Sequence, residues 1–583
     1  MMKSRKTLAL LLTLLLACMP LSALAEGANN IVTDGEGWYL WDAEGQLTLE
    51  GREATGRNAM VSSGKYEASN AGIAILKEGG NAVDAAVAVG FALAVTEPNS
   101  SGLGGGGFMT VHMEDGKNIF IDFRERAPQA ATPALWQLDA ESTVIGGQNL
   151  NGGKAVAIPG EVAGLWHAFE TYGSGNVTWA QVIEPAIKLA EEGFLVTPTL
   201  ANDMASAYDN MIKYTEFGEI YLTELDLTYE VGELIKNPML AKTLRMIAEH
   251  GKDAFYTGEI AEAMVEVINK YGGVYTLADF ADYKVRELEP VQGTYRGYQI
   301  ISSPLPSSGG THIIQGLNIM EHFDMAALGH NMPESIHVMA SVNKMIFADR
   351  SKYMGDPDYV KVPSNGLLSK EYAAEQAKQI KPTEILDYAE VDPWTFEHED
   401  TTHFSVADAA GNMVGVTQTV NYGFGAKIAP AGYGFVLNNE MADFSADAES
   451  PNAIAPGKTP LSSMSPTIVL REDGSPFMVL GAPGATRIIN AVTQVISNVV
   501  DHKLPLQEAI MAPRIQNSVT DPIAYENRLS LDVTKALEAM GYELAENDAW
   551  TRSFGSVQAI MYDEDGVLHG GADPRRDSKA LGY

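Results

Sequence analysis

A layered fold of mixed helices and strands, α/β or α+β, is what this sequence predicts, and three patterns carry the expectation. Two early blocks, Ala68 to Lys77 and Ala82 to Val95, read as helices; in the second, Ala85, Ala86, Val89, Ala92 and Leu93 share one face at helical spacing. From Thr401 onward, strand-like runs alternate in type and are joined by short polar turns. Helices interleave with those strands, as they do where helical layers cover sheets.

At the start of the chain, Lys3, Arg5 and Lys6 precede the apolar run Leu8 to Ala17, and Ala23-Leu24-Ala25 is a small-x-small cleavage site. Residues 1–25 therefore read as a signal peptide and the protein as secreted. Two alternatives stand. Leu16-Ala17-Cys18 loosely matches a lipoprotein cleavage site, and Thr7 to Ala25 approaches the length of an uncleaved anchor. Membrane attachment would need one of them. Cys18 is the only cysteine, so a chain cut after Ala25 has neither disulfides nor cysteine-ligated metal.

Residues 26 to about 58 are rich in Gly and Asp and read as a peripheral extension. The regions 160–285 and 311–381 read as mostly helical, clearest at Glu161 to Tyr172, Trp179 to Glu192, Met239 to His250 and Ile260 to Tyr271. Later, Thr467 to Leu470 and Phe477 to Leu480 form one hairpin, and Val557 to Tyr562 with Val567 to Gly570 another. Arg487 to Val500 and Leu506 to Met511 are the helices between them. The composition, 45% hydrophobic and 20% charged, is that of a folded protein. Acidic residues outnumber basic ones 75 to 40, which argues against nucleic acid as a partner. An anionic substrate group would need a specific arginine to hold it against that field.

Three motifs fail on inspection. Gly102 to Gly107 satisfies G-x-G-x-x-G, but a helix precedes it and the strand Phe108 to Met113 follows, the reverse of a dinucleotide site. A loop of glycines where backbone passes close to something bulky fits better. His398 and His403 are five apart and not on a helix, so a zinc-protease motif is excluded. No serine sits in G-x-S-x-G.

The hairpin that opens at Asp400-Thr401-Thr402-His403 is more telling. Its turn is Asp408 to Asn412 and its return strand Met413 to Val420. A turn centred on Ala410 sets Thr401 opposite Thr419, with Cβ atoms roughly 5 Å apart. A threonine hydroxyl needs a base to become a nucleophile, and one solution is the amine of an N-terminal threonine. That solution requires a cut between Asp400 and Thr401; otherwise this is an ordinary threonine-rich hairpin.

Other segments suit a small zwitterion, each with a plainer reading. Asn421 continues the return strand. Asn438 to Asp443 carries Glu440 and Asp443, an acid pair, a cation clamp or a solvated turn. Ser462 and Ser463 precede a strand, as loop serines often do. Gly481 to Thr486 joins a strand to a helix, where backbone N–H groups form an anion site or a plain turn. Arg124 ends a strand, a two-pronged carboxylate clamp or a surface charge.

In this order, and together with Leu76 to Ala86, Gly102 to Phe108, Asp122-Phe123-Arg124, Pro304 to Gly310 and Ala348-Asp349-Arg350, the chain resembles the γ-glutamyltranspeptidases, self-cleaving N-terminal-nucleophile hydrolases. The resemblance runs from about Ala59 to Tyr583. It implies an α+β, four-layer αββα sandwich made by two subunits of one precursor, residues 26–400 and 401–583, which pair as a heterodimer. It implies that Thr401 is the nucleophile, supported by Thr419, with the backbone N–H groups of Gly484 and Ala485 as oxyanion hole. Arg124, helped by Ser462 and Ser463, would bind a γ-glutamyl α-carboxylate; Asn421, Glu440 and Asp443 would bind its α-ammonium. The donor would be glutathione-like and the acceptor water, an amino acid or a short peptide, with no cofactor and no metal. Acylases and poly-γ-glutamate-processing enzymes share the pattern as alternatives, as does an uncleaved binding protein. Two departures stand out: Ala485 replaces a usual second glycine, and the segment between Asp443 and Ser462 is short where many members carry a covering loop.

Overall fold

The computed structural model describes residues 40–41, 46–140, 143–386, 401–519 and 522–583. Two seven-stranded antiparallel sheets stand at its centre. The first runs Lys579–Gly582, Ala59–Ser63, Thr401–Asp408, Met413–Thr419, Gly106–His112, Asn118–Phe123 and Arg286–Leu288. The second runs Ala54–Gly56, Leu568–Ala572, Gln558–Tyr562, Pro476–Gly481, Thr467–Leu470, Tyr298–Ser302 and Val291–Tyr295.

Alternation along the strands decides the layers. Phe404 and Val406 point to one face of the first sheet and join the core beneath helices Tyr66–Lys77 and Ala82–Thr96. Ala407 and Met413 point to the other face and meet Ile468, Leu470, Val479 and Ile560 of the second sheet. The far side of that sheet, Ile300, Val469, Met478 and Leu480, packs under helices Gly309–Met320, Pro333–Tyr353 and Arg487–Val500. The order is helix, sheet, sheet, helix: the four-layer αββα sandwich.

Helix Ala82–Thr96 is buried on every side, which its run of Ala and Val permits. Asn81 caps it, accepting from the N–H groups of Val83 and Asp84, while Asp84 accepts from that of Asn81. The Asp408 carboxylate joins this helix to the central hairpin: it accepts from the Ala82 N–H and from Ala410 and Asn412 in the turn.

Helices Glu161–Tyr172, Trp179–Glu192, Arg487–Val500 and Leu506–Met511 fall on the boundaries read from sequence. Tyr66–Lys77, Ala82–Thr96, Pro238–His250 and Glu259–Lys270 differ by one or two residues. Strands at Ala54–Gly56, Ala59–Ser63, Arg286–Leu288, Val291–Tyr295, Tyr298–Ser302 and Lys579–Gly582 were not anticipated. They span three to five residues each, too short for alternation to register. The extension is also less peripheral than expected, since Ala54–Gly56 adds an edge strand and Arg52 is fully buried. The leader, Cys18, His398 and Asp400 lie outside the described residues. Among the described residues, no helix is long and apolar enough to cross a membrane.

Candidate active site

The hairpin register pairs Thr401 with Thr419 and Ala407 with Met413, as a turn centred on Ala410 requires. Both threonines are buried, with their hydroxyl oxygens 3.3 Å apart. The Thr419 hydroxyl also accepts from the Asn421 N–H at 2.7 Å, a bond made within a left-handed turn (Asn421 φ +74°). The Thr401 carbonyl accepts from Arg576 Nη1 at 2.7 Å. On the same face of the strand, His403 Nδ1 shares a hydrogen bond with the Thr417 hydroxyl at 2.8 Å, and its Nε2 one with Ser405 at 3.2 Å. Burial holds the His403 pKa at about 3, so the ring is neutral. Among the described residues, no three His, Cys, Asp or Glu side chains are grouped to hold a metal.

The glycine loop is a site of close approach. A Cβ on Gly105 would lie 2.0 Å from the Thr419 carbonyl oxygen, and one on Gly104 2.1 Å from that of Val436. With no side chains in the way, the Gly105 carbonyl accepts from the N–H groups of Gly160 and Glu161, and that of Gly104 from Asn438.

Beyond Asn421 lies a buried ion cluster. Arg124 Nη1 is 2.6 Å from Glu440 Oε1, and Nη2 pairs with Asp443. Its Nε and Nη2 also donate to the carbonyls of Pro460 and Leu461, at 3.1 and 3.2 Å. Asn421 Nδ2 donates to the other Asp443 oxygen at 2.8 Å. A 3₁₀ turn, Glu440–Asp443, brings the two acids to one side three residues apart. Next to Arg124, burial raises the Glu125 carboxyl to about 8, against the lowering influence of the Arg124 guanidinium. The sequence reading assigned Arg124 and the acids to different substrate groups, whereas the structure joins them directly. Pairing is what offsets the cost of taking these charges out of water.

Ser462 and Ser463 border this cluster just after Leu461. The Ser463 hydroxyl accepts from Arg350 Nη2 at 3.1 Å, and the Ser462 hydroxyl from the Met464 N–H at 3.1 Å. Gly484 and Ala485 open helix Arg487–Val500, their carbonyls accepting from the Arg487 and Ile488 N–H groups. Among the described residues, no protein acceptor takes the N–H of Gly484 or Ala485. Ala485 is fully buried and adopts φ +56°, a left-handed conformation that costs a residue with a Cβ roughly 1 kcal/mol.

Three groups at the site were missed from sequence: Arg576, Arg350, and Glu97, whose Oε1 lies 3.0 Å from Arg576 Nη1. Arg350 stood in a quoted block without a role. Arg576 had a usable signal, since Asp573-Pro574-Arg575-Arg576-Asp577 packs alternating charges near the chain end, and Asp573, Arg575 and Arg576 are all buried.

The sequence model of the γ-glutamyltranspeptidase family matches residues 68–583. The glutathione hydrolase proenzyme of Escherichia coli (strain K12) is 43% identical over 542 residues, covering 90% of this chain and 92% of that protein. The acylase ACY 1 proenzyme of Pseudomonas sp. (strain SE83) is 37% identical over 541 residues, covering 91% and 94%. Among solved structures, the cephalosporin acylase from Bacillus halodurans is similar with a TM-score of 0.83 and 30% identity, over 91% of this chain and 97% of that one.

Proposed function

This chain belongs to the γ-glutamyltranspeptidase family, and from that premise we propose that it cleaves itself before Thr401 and then moves γ-glutamyl groups from glutathione-like amides to water or amines. The observation that carries this reading is the buried Thr401–Thr419 pair, joined through Asn421 to a cluster of one guanidinium and two carboxylates.

In the first step Thr401 Oγ attacks the carbonyl carbon of Asp400 and the Thr401 nitrogen leaves, giving an ester. Water opens that ester, so residues 26–400 become a large subunit and 401–583 a small one. The freed amine, with a reference pKa of about 7.7–8.0, takes the proton of its own hydroxyl. Thr419 orients that hydroxyl. Thr401 Oγ then attacks the substrate γ-carbonyl, and the N–H groups of Gly484 and Ala485 receive the developing oxyanion. The leaving amine takes the proton back, and water, an amino acid or a short peptide accepts the glutamyl group from Thr401.

Arg124, with Ser462 and Ser463, receives the α-carboxylate; Glu440, Asp443 and Asn421 receive the α-ammonium. A zwitterion enters this cluster without changing its buried net charge, so each group lost by one partner is replaced by another. A second reading, an acylase, has the structural likeness to a cephalosporin acylase in its favour. A pair of anilides separates them: γ-glutamyl, and glutaryl, which lacks the α-ammonium. Losing charge-assisted bonding of about 1.5–3 kcal/mol predicts a preference of about 10- to 10²-fold for the glutamyl compound. Equal rates would favour the acylase.

The short segment after Asp443 is held compact by Asn452, which donates to the Asp443 carbonyl at 2.6 Å and accepts from the Leu461 N–H at 3.0 Å. The shortness of this segment, where many members of the family carry a covering loop, supports a tilt toward hydrolysis. Product ratios with and without glycylglycine test it, and transfer dominating at modest acceptor levels refutes it. The leader pattern supports export, which the mass of the purified large subunit checks.

A further inference from the structure

We infer that Arg576, braced by Glu97, is a positioning residue for the Thr401 terminus: it grips the terminal residue's carbonyl and tunes its amine as a base. The inference rests on the self-cleaving reading above and adds a group to it that acts through Thr401.

Once the chain is cut, Thr401 begins a strand and loses the covalent restraint on its nitrogen. The nearest backbone atom the protein can hold is its own carbonyl oxygen, two bonds from Cα. Arg576 Nη1 donates to that oxygen at 2.7 Å, and the same nitrogen lies 3.0 Å from Glu97 Oε1 and 3.2 Å from the Ser100 hydroxyl. With the carbonyl pinned and the Thr401–Thr419 register kept, little freedom is left to swing the amine away from Oγ.

The grip is itself built. Glu97 ends the fully buried helix Ala82–Thr96, and a Cβ on Gly64 would come within 2.7 Å of its Oε2, so the glycine leaves that carboxylate its present position. The Arg576 carbonyl accepts from Arg52 Nη1 at 3.0 Å, that of Ser578 from the same nitrogen at 2.9 Å, and the Ala580 N–H donates to the Arg52 carbonyl at 2.9 Å. Arg52, which holds Arg576 in this way, precedes residues 68–583, the span that the family's sequence model matches.

A guanidinium beside the terminus disfavours the ammonium form, and the Glu97 carboxylate opposes it. The other charged or titratable groups around Thr401 are paired with one another or neutral. Lys65 and Asp577 pair at 2.6 Å beside Arg576, Arg124 pairs with Glu440 and Asp443 beyond Asn421, and His403 is held neutral by burial. The Arg576–Glu97 pair is therefore the adjustable part of the field.

The test is the pH profile of γ-glutamyl anilide hydrolysis by mature protein carrying R576Q, R576K or E97Q. R576Q leaves Glu97 unopposed, and the acid limb moves to higher pH by about half a unit to one unit. E97Q leaves Arg576 unopposed, and the limb moves down by a similar amount. R576K keeps the charge, so its limb stays within about 0.3 unit of wild type while kcat falls about tenfold from looser positioning. Limbs that coincide with wild type, or move in the same direction, overturn the inference. Should R576Q remain uncut, E97Q decides alone: a downward shift supports the inference, and no shift or an upward one ends it. Wild type that is cut normally, with variants whose limbs do not move, defeats only this inference, whereas uncut and fully active wild type defeats the reading beneath it.

Discussion

Two buried polar clusters meet at Asn421, and they are built in opposite ways. Thr401, His403, Ser405, Thr417 and Thr419 form a neutral seam on one hairpin, hydrogen-bonded along its length. Arg124, Glu440 and Asp443 form a charged cluster from segments more than three hundred residues apart, closed by carbonyls at Pro460 and Leu461. The seam owes its geometry to strand register, which local sequence dictates. The cluster owes its geometry to the closing of the fold, and its carboxylates are opposed only while Arg124 is present. A seam of that kind suits a nucleophile; a cluster of that kind suits exchange with a zwitterion.

The largest separation between the two is expected from Arg124→Gln. Removing the cation leaves Glu440 and Asp443 buried and unopposed, and kcat/KM for a γ-glutamyl anilide should fall about 10²- to 10³-fold. Cutting at Thr401 should persist on a denaturing gel, because the seam does not need the cluster. Loss of cutting as well would show that the two are one unit.

Gly481→Ala probes the seam. A Cβ there would lie 2.4 Å from His403 Cε1, and overpacking of this kind costs about 1–3 kcal/mol. Urea denaturation should show that loss while the rate of native, cut enzyme changes less.

Acid probes it differently. His403 and His312 are both lowered by burial from 6.5 to about 3. The unfolded chain therefore binds these protons below pH 6.5 and the folded chain does not until about pH 3. Stability from the neutral rings is complete above pH 6.5 and falls as pH drops, by up to about 1.4 kcal/mol per unit for each ring. Unfolding free energies from urea titrations at pH 7 and pH 5 should differ by roughly 2 kcal/mol per histidine, and His403→Gln should flatten its share.

The smallest effect is expected from Ala485→Gly. Glycine tolerates φ +56° freely, so the variant should gain up to about 1 kcal/mol or lose nothing, with activity kept. A clear loss of activity would mean that the Ala485 methyl does more at this turn than its backbone.

The sequence made the nucleophile corner legible because a hairpin is local: its turn and alternation settle which residues face each other. It also disclosed the residue types of the charged cluster, but not that Arg124 bonds both acids, since nothing local links position 124 to 440. Arg576 and Glu97 escaped for the same reason, meeting only when a strand near the chain end closes the first sheet beside Ala59–Ser63. Short strands such as Ala54–Gly56 offered too few residues for a period to show.

The account stands most directly on the chemistry of residue 401. Intact-mass and N-terminal analysis of wild type and Thr401→Ala, alongside glutamyl-anilide rates, tests it. The expected result is two chains with the smaller beginning at Thr401 for wild type, and one uncut chain with activity lowered at least about 10³-fold for the variant. A wild-type preparation that stays one chain and yet turns over at full rate would contradict it.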